Sequence, residues 1–387
     1  MSRAAPLSAL AKHAARLRNL ARLTLRGRPT VGATPCDVVH AERSWRLLRY
    51  RAGESAAPER EAPEFVHRTP VLMVPSLINR HYVLDLRPGR SLAAYLLGRG
   101  HDVFVIDWGT PGPEDRYLGF DDYAGDFLGR ALERCCAEAR SERAHVLGYC
   151  LGGTLAVAHA AAFAREGRVA SLALLAAPVR FDDGGLLSAW MRSRSFDPRS
   201  LVDATGLVPW PMMQAAFYLL KPFQLPSKLV ALYDRAWSQE FLDGYAAVET
   251  WGADNVSLAG KFFEEYIERL YRSDELIAGR FSLCGRPAKL GSIECPVLTV
   301  TFEHDHIVPH ESATALLGAV RSRDTARLHY DGGHIGSVIS ARAEKTLWPA
   351  LSDFWARRDG ARGAAQQGSV QETSEVRSEE RSAEGVR

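Results

Sequence analysis

The sequence predicts an α/β fold, with a mostly parallel central sheet covered by helices on both faces. Short apolar runs such as TPVLMV (69–74) and DVFVID (102–107) alternate with segments of helical periodicity. Strands that are continuous apolar runs are typical of parallel sheets buried on both sides, and their alternation with helices indicates crossover connections. The chain has 387 residues, 46% of them hydrophobic, so it is long enough to bury one large core and to carry an insertion.

The individual elements follow from the apolar runs and from the residues that bound them. Runs of Val, Leu, Ile and Phe bounded by Gly, Pro or Asp predict strands, and apolar residues three and four positions apart predict helices. The predicted strands are 43–50, 69–74, 102–107, 144–148, 171–177, 296–302 and 326–330. The predicted helices are 90–99, 120–140, one that begins at Gly152, 310–320 and 342–357.

Four segments of the chain differ in composition. Residues 1–30 form a basic amphipathic helical segment, residues 31–181 and 291–358 form the α/β core, and residues 182–290 interrupt that core. The interruption is rich in Trp, Phe, Met and Leu and lacks strands of the core type, which favours a helical lid over the active-site edge; additional core is the alternative. Residues 359–387 contain no aromatic residue, which predicts a disordered tail.

The N-terminal segment has two interpretations. Leu and Ala recur at helical spacing, and the other positions hold Lys12, Arg16, Arg18, Arg22 and Arg26, with no acidic residue before Asp37. This pattern predicts either a helix docked on the body with a solvated basic face, or a face for an anionic surface or a partner protein.

Composition excludes several classes of protein. The net charge is +2 and no nucleic-acid-binding motif is present, so we expect no nucleic-acid partner. No run of 18 apolar residues and no secretory signal pattern are found, so no transmembrane segment is predicted. The six cysteines have neither CxxC spacing nor companion histidines, which argues against a disulfide framework and a metal site and favours the reducing cytoplasm.

The stretch LGYCLGGTL (147–155) follows a predicted strand and opens a predicted helix of small residues. Gly148 and Gly152 flank Cys150 in the pattern G-x-nucleophile-x-G, a sharp turn that presents a nucleophile at the tip of a sheet. The first turn of the following helix directs N–H groups and positive potential toward an oxyanion or a thiolate. The alternative for Cys150 is a small buried apolar side chain.

Two further residues favour the interpretation of Cys150 as a catalytic nucleophile. Asp305 comes just after the strand 296–302, and His334 lies in a glycine-rich loop just after the strand 326–330. The order Cys150, Asp305, His334 is the nucleophile–acid–histidine order of the α/β-hydrolase fold, and ends of parallel strands share one sheet edge. His306 is a candidate for lining the site, whereas Asp331, placed before two glycines, indicates a turn.

The chain resembles the polyhydroxyalkanoate synthases over residues 30–358, specifically the short type that works with a second subunit (class III). The motifs that carry the resemblance are VGATPCDVVH (31–40), VPSLINRHYVLDLRPGRSL (74–92), FVIDWG (104–109), GYCLGG (148–153), ETWGADNVSLAG (249–260), FFEEYIERLYRSDELI (262–277), GRPAKLGSIECPVL (285–298), DHIVP (305–309) and GGHIGSV (332–338). Tyr149 and Leu151 beside the cysteine are closer to other synthase classes, and Arg180 stands where an aspartate is usual.

The resemblance implies an acyltransferase that polymerises (R)-3-hydroxyacyl-CoA into polyester through an acyl-Cys150 intermediate. It implies His334 as the base, Asp305 as its partner, and the backbone N–H groups of Leu151 and Leu77 as oxyanion donors. It further implies a smaller partner subunit, a homodimer and a location on cytoplasmic polyester granules, with coenzyme A as part of the substrate and no separate cofactor.

Two other functions share these residues. One is a cysteine-type α/β hydrolase, either a thioesterase or an intracellular polyhydroxyalkanoate depolymerase. The other is a catalytically idle protein that binds granules and keeps the fold.

Overall fold

The computed structural model describes residues 9–25, 27–51, 66–220 and 224–359, and the predicted fold class is confirmed. Eight strands form one sheet in the order β1-β2-β4-β3-β5-β6-β7-β8. Strands β3 to β8 pair in parallel, β2 is antiparallel to β4, and β1 is antiparallel to β2. The strands are β1 (Cys36–Glu42), β2 (Trp45–Tyr50), β3 (Val71–Val74), β4 (Val103–Asp107), β5 (Ala144–Tyr149), β6 (Val169–Leu175), β7 (Val297–Phe302) and β8 (Thr325–Tyr330).

Thirteen α-helices are assigned among the described residues. They are α1 (Ala9–Leu25), α2 (Leu92–Gly98), α3 (Leu128–Ala139), α4 (Leu151–Ala162), α5 (Leu186–Arg192), α6 (Trp210–Leu220), α7 (Gln224–Arg235), α8 (Gln239–Ala253), α9 (Gly260–Glu265), α10 (His310–Thr314), α11 (Gly336–Ile339), α12 (Ala341–Lys345) and α13 (Leu347–Ala356). π-helical turns precede α3 at Asp121–Phe127 and follow α9 at Tyr266–Arg272.

The sheet separates two apolar cores, and successive strand residues alternate between them. In β4, Phe104 and Ile106 face the core that contains α3 and α4, while Val103 and Val105 face the core that contains α2 and α13. Every residue of β4 is buried because both faces of the strand are covered. The outermost strand β8 alternates exposed and half-buried residues, which is the pattern of a sheet edge.

The structure differs from the sequence prediction in a few elements. Strand β1 is not predicted, because its residues are exposed or half-buried and form no apolar run. The predicted helix 342–357 is two helices, and Pro349 explains the interruption: it lacks an N–H and is tolerated only in the first turn of α13. The predicted helix 310–320 is α10 followed by a 3₁₀ turn at Ala315–Gly318.

The interruption predicted at 182–290 contains helices α5 to α9, and we call it the helical insertion. It also contains two short strand pairs that the sequence did not predict, Leu207–Val208 with Leu258–Ala259 and Ser282–Leu283 with Arg286–Pro287.

Helix α1 docks on α7 and the turn after it. The Arg16 guanidinium donates to the carbonyl of Asp234 at 3.0 Å, and the buried Asn19 amide donates to the carbonyl of Ala236 at 3.0 Å. The Lys12 ammonium lies 5.0 Å from the centre of the Trp237 ring. The N-terminal helix is therefore joined to the helical insertion by part of its basic face.

The remaining sequence predictions concern the C-terminal tail, the cysteines and membrane-spanning helices. The predicted tail lies outside the described residues, apart from Asp359. All six cysteines lie within the described part of the chain and are free thiols. Within the same part, no helix has the length and apolar character needed to cross a membrane.

Candidate active site

Cys150 stands at the turn between β5 and α4 in a backbone conformation that side chains rarely adopt. Its φ is +52° and its ψ is −129°. The amide N–H donates to the carbonyl of Leu175 at 2.9 Å, and the carbonyl of Cys150 accepts from the N–H of Gly153 at 2.9 Å. The turn is thus held at both ends, so the thiol stands at the tip of the strand in a strained geometry.

The glycines around Cys150 are required by close packing. A Cβ on Gly148 would lie 2.4 Å from the Cα of Gly153, so the strand and the helix touch at this point. A Cβ on Gly152 would lie 2.1 Å from the carbonyl oxygen of Val74 and 2.3 Å from that of Pro75. The first turn of α4 therefore lies directly against the end of β3 and the loop that follows it.

Asp305 and His334 meet because the loops after β7 and β8 are joined. The N–H of Glu303 donates to the carbonyl of Tyr330 at 3.0 Å, and the N–H of His304 donates to that of Gly332 at 2.9 Å. His334 Nδ1 then lies 2.7 Å from Asp305 Oδ2. The side chains of these two residues are 10% and 1% exposed, so the pair is shielded from water.

The second oxygen of Asp305 is held by the backbone of its own loop. Oδ1 accepts the N–H groups of Ile307 and Val308, both at 2.9 Å. Burial raises the pKa of the Asp305 carboxyl, but the charge and hydrogen bond of His334 and these N–H groups outweigh burial and lower it. The carboxylate stays ionised and orients the imidazole.

His334 lies between Asp305 and Cys150 and makes a side-chain hydrogen bond to each. Burial lowers the pKa of the His334 imidazole, but the negative charges of Cys150 and Asp305 and the two hydrogen bonds raise it to about 10. The proton is therefore retained on the imidazole at neutral pH. The imidazole therefore lies beside the sulfur, in the position from which a general acid and base acts on a nucleophile.

Tyr149 is a residue of the site whose role the sequence pattern does not predict. Its buried ring stacks on the imidazole of His334 with 5.4 Å between centroids, and its hydroxyl donates to the carbonyl of His334 at 3.1 Å. Burial, followed by the charges of Cys150 and Asp305, raises the pKa of the phenol, so the hydroxyl stays protonated. The signal available in the sequence was an aromatic residue directly before the cysteine, and only the fold shows what it contacts.

Two phenols of the helical insertion, the half-buried Tyr266 and the buried Tyr271, also lie near the thiol. Tyr266 and Tyr271 hydrogen bond to each other, with ring centroids 5.2 Å apart. Burial, and to a lesser extent the charge of Cys150, raises the pKa of both phenols. Phe181 packs edge-on against both rings. The thiol thus lies near a cluster of three aromatic side chains, two of which belong to the helical insertion.

The loop after β3 carries Leu77 to the side of the elbow. Leu77 and Leu151 are both buried in the apolar cluster against which Cys150 packs. Trp108 Nε1 donates to the carbonyl of Pro75 at 2.9 Å, which holds the start of the loop. The structure thus brings the backbone of Leu77 and that of Leu151, the first residue of α4, to the same region as the thiol.

The segment around Asp107 contacts the loop after β3 through His81 and holds it in place. Arg46 donates to the Asp107 carboxylate at 2.5 Å, and His81 Nδ1 lies 3.2 Å from the same carboxylate. Burial raises the pKa of the Asp107 carboxyl, but His81, Arg46 and the Gly109 N–H outweigh burial and lower it well below the usual range. Gly109 has a φ of +68°, and a Cβ there would lie 1.7 Å from the carbonyl oxygen of Ser44. The IDWG segment is therefore a structural support.

The helical insertion closes on the same loop from the other side. Asp254, just after α8, accepts from the Tyr82 hydroxyl at 2.7 Å and from Arg80 at 3.2 Å. The Asn79 amide donates to Asn255 at 2.5 Å. Residues 79–82 of the LINRHY segment are thus fastened to the end of α8.

The two neighbouring candidates occupy different positions. His306 is exposed in the loop between Asp305 and Val308. Asp331 is 63% exposed and pairs with Arg342 at 3.0 Å and His304 at 3.5 Å.

Fold and site together define an α/β-hydrolase-fold protein with a cysteine at the turn between β5 and α4. A family model for the alpha/beta hydrolase fold matches residues 69–339, and one for the N-terminus of poly-beta-hydroxybutyrate polymerase (PhaC) matches residues 22–96. A hydrolase from Pseudomonas aeruginosa PA01 is a solved structure with the same fold, at a TM-score of 0.51 and 16% identity, covering 84% of this chain and 99% of that one.

Curated relatives give the family. The chain is 34% identical over 331 residues to the poly(3-hydroxyalkanoate) polymerase subunit PhaC of Haloferax mediterranei, covering 85% of this chain and 65% of that protein. It is 31% identical to the protein of the same name from Thiocystis violacea, covering 84% of this chain and 88% of that one. This chain belongs to the poly(3-hydroxyalkanoate) polymerase (PhaC) family.

Proposed function

We propose that this protein is an acyltransferase that polymerises (R)-3-hydroxyacyl-CoA thioesters into polyester and releases coenzyme A. The observation that carries the proposal is the Cys150 thiol at a strained turn, hydrogen bonded to an imidazole that Asp305 holds at 2.7 Å. Membership of the PhaC family supports the substrate class, because the relatives are named as poly(3-hydroxyalkanoate) polymerases.

The first half-reaction loads the enzyme. The Cys150 thiolate attacks the acyl carbonyl, and the backbone N–H groups of Leu151 and Leu77 stabilise the oxyanion. The intermediate collapses by breaking the bond to the sulfur of coenzyme A, and the His334 imidazolium gives its proton to that sulfur. The products are acyl-Cys150, neutral His334 and free coenzyme A.

The second half-reaction extends the polymer. The hydroxyl of a second monomer or of a growing chain attacks acyl-Cys150, and neutral His334, assisted by Asp305, takes the hydroxyl proton. An ester bond forms and the bond to Cys150 breaks, which restores the thiolate and the imidazolium. A thioester on cysteine keeps the acyl group activated for this step because exchange between two thiols is nearly isoenergetic.

Water must be kept from acyl-Cys150, because its attack would release a free hydroxy acid. The buried rings of Phe181 and Tyr271, together with the half-buried ring of Tyr266, support this requirement. The helical insertion that supplies the two tyrosines then acts as a lid.

Purified protein and 3-hydroxybutyryl-CoA test the proposal, with and without a smaller partner subunit of the kind that the family resemblance implies. We expect release of coenzyme A together with solvent-extractable polymer, and loss of both in Cys150→Ala. The matched control is Cys36→Ala, which removes an exposed thiol on the edge strand β1 and is expected to leave turnover unchanged. Hydroxy acid without polymer would favour the hydrolase alternative, and unchanged turnover in Cys150→Ala would refute the mechanism.

The same proposal includes the assembly and its location. The name of the relatives, polymerase subunit, supports a partner protein. The family resemblance is the support for the smaller size of that partner, for a homodimer and for the polyester granule surface. Helix α1 is our candidate for attachment, because Leu17 and Leu25 remain exposed beside its arginines. Deletion of residues 1–28 should reduce sedimentation with granules or with the partner protein, while unaltered sedimentation would leave α1 as an ordinary surface helix.

A further inference from the structure

A groove of about 450 Å³ lies beside the candidate site, and the proposed function does not account for it. Its walls are the loop Leu86–Arg90, parts of α7 and α8, and the segment from Gly336 to Ala341. We propose that this groove binds the phosphate groups of the coenzyme A moiety. This proposal rests on the proposed function and deepens it by naming a subsite for the substrate.

The charge of the groove favours an anion. Four cations and two carboxylates line it, a net charge of +2. Arg90 is paired with Glu240 at 2.5 Å and also with Glu344, and Lys228 is paired with Glu249. These pairs fix the acidic side chains to their own cations, so the positive charge that remains is that of the other two arginines.

Arg87 and Arg235 supply the available positive charge. Within the described ranges neither guanidinium has a carboxylate within ion-pair distance. The Nε of Arg87 is buried and lacks a hydrogen-bond partner among the described residues, and its Nη1 has only a long 3.4 Å contact to the carbonyl of Pro88. Buried N–H groups of a charged side chain are costly to leave unpaired, and phosphate oxygens are the acceptors that guanidinium geometry matches best.

The groove is within reach of Cys150. Helix α11 begins at Gly336, two residues after His334, so the two Cα atoms are at most about 7.6 Å apart. Val248 and Ile339, which line the groove, pack against the apolar cluster that contains Tyr149 and against which Cys150 also packs. The Gly336 side of the groove is therefore next to His334, and the pantetheine arm of a ligand in the groove would extend from this side toward Cys150.

The remaining walls suit the rest of the ligand. Phe241 and Tyr245 of α8 present rings 6.2 Å apart, and the Arg235 guanidinium lies 4.3 Å from the centre of the Phe241 ring. An adenine ring can stack on such side chains while its phosphates reach the arginines.

Steady-state kinetics with two substrates test the subsite. The substrates are 3-hydroxybutyryl-CoA and the 3-hydroxybutyryl thioester of pantetheine, which has no phosphate. In Arg87→Gln/Arg235→Gln we expect the ratio of the two KM values, CoA thioester over pantetheine thioester, to rise about tenfold. The matched control is Arg286→Gln, an exposed arginine that pairs with Glu166 at 2.9 Å, for which we expect the ratio to stay within about twofold.

A binding measurement separates failure of the subsite from failure of the proposed function. Calorimetric titration of Cys150→Ala with free coenzyme A, dephospho-coenzyme A and pantetheine requires no turnover. We expect coenzyme A to bind most tightly, and the two arginine substitutions to weaken its binding about tenfold. An unchanged KM ratio and an unchanged Kd would overturn the groove as a phosphate site, even if the protein makes polymer. Absence of turnover in the wild type, with the Kd change intact, would instead remove the proposed function.

Discussion

At the scale of single residues, backbone strain positions the Cys150 thiol, and charge controls the protonation of the neighbouring His334. The φ of +52° at Cys150 places the sulfur at the tip of β5, and the imidazole of His334 holds a proton against it. Asp305 orients that imidazole from the far side and remains ionised. The geometry therefore predicts an imidazole that is oriented and protonated beside the sulfur before substrate arrives.

Substitution of Asp305 by asparagine tests the orientation of His334. The amide keeps the shape but removes the charge and the acceptor at Oδ2, so we expect kcat to fall about a hundredfold to ten-thousandfold with the fold retained. Release of coenzyme A from 3-hydroxybutyryl-CoA measures kcat, and circular dichroism checks the fold. Asp331→Asn is the matched control, because this exposed carboxylate lies in the His334 loop outside the site; its kcat should stay within about twofold.

The protonation of His334 can be followed directly by NMR of its ring. Because the folded pKa is about 10, against about 6.5 in an unfolded chain, the ring should stay charged from about pH 6 to pH 9. Its stabilising effect is complete below about pH 6.5 and is lost as the pH rises toward 10. In Cys150→Ala the strongest cause of the raised pKa is absent, so the titration should move to lower pH; an unchanged titration would contradict the ion pair.

At the scale of elements, the loop after β3 is held from three directions. Helix α4 contacts it through Gly152, Trp108 binds the carbonyl of Pro75, and the helical insertion binds its far end through Asp254. These contacts explain why the LINRHY and IDWG segments occur together with the cysteine turn: they place one backbone loop beside the thiol.

Gly152→Ala tests that contact. The new Cβ would lie 2.1 Å from the carbonyl oxygen of Val74, so the first turn of α4 must separate from the loop. We expect a loss of about 3 kcal/mol in the free energy of unfolding and, because Leu151 and Leu77 move apart, a fall in kcat of about a hundredfold. Urea unfolding and thioester turnover measure the two effects.

Gly318→Ala is the control for that substitution. No atom lies within 4 Å of its Cβ position, so its stability should change by less than about 0.5 kcal/mol. Equal behaviour of the two alanine variants would show that α4 and the loop are not in tight contact.

At the scale of the whole molecule, the candidate site and two buried histidines lie at opposite ends of the strands of the sheet. The candidate site lies at the carboxyl ends of the strands, whereas His101 and His145 lie at the starts of β4 and β5 and are buried. His101 binds the Ser352 hydroxyl at 3.0 Å, and His145 binds that of Ser171 at 2.8 Å. Burial lowers the pKa of His101 to about 3 and that of His145 to about 4.

These two histidines predict sensitivity to acid. Below about pH 6.5 the unfolded chain binds protons that the folded protein does not accept, so stability falls as the pH decreases toward 4. At pH 5 each histidine lowers the free energy of unfolding by about 2 kcal/mol relative to neutral pH. His145→Asn and His101→Gln keep a hydrogen-bonding group near the serine and should each reduce the difference between urea unfolding at pH 7.5 and pH 5. His304→Asn, which removes an exposed histidine, should leave that difference unchanged.

Sequence patterns were sufficient to predict those elements whose structure depends on residues close together in the chain. The apolar runs predicted seven of the strands because both faces of those strands are buried, while β1 was missed because an edge strand has no such run. The elbow at Cys150 was predictable because its glycines act on neighbours within a few residues. The contacts of Tyr149 and the placement of Arg87 and Arg235 in one groove were not predictable, since they depend on residues distant in the chain.

The sequence by itself determined the α/β class and the strand order along the chain, and it predicted Cys150, Asp305 and His334 as the candidate site residues. These follow from local periodicity and from the rule that parallel strands end at one edge. Only the tertiary structure decided that the imidazole is held as a cation, that α8 fastens the loop at Arg80 and that a basic groove opens beside α11. The physical reason is that charge, burial and side-chain contact are set by residues brought together in space, as with Arg80 and Asp254, which are 174 positions apart.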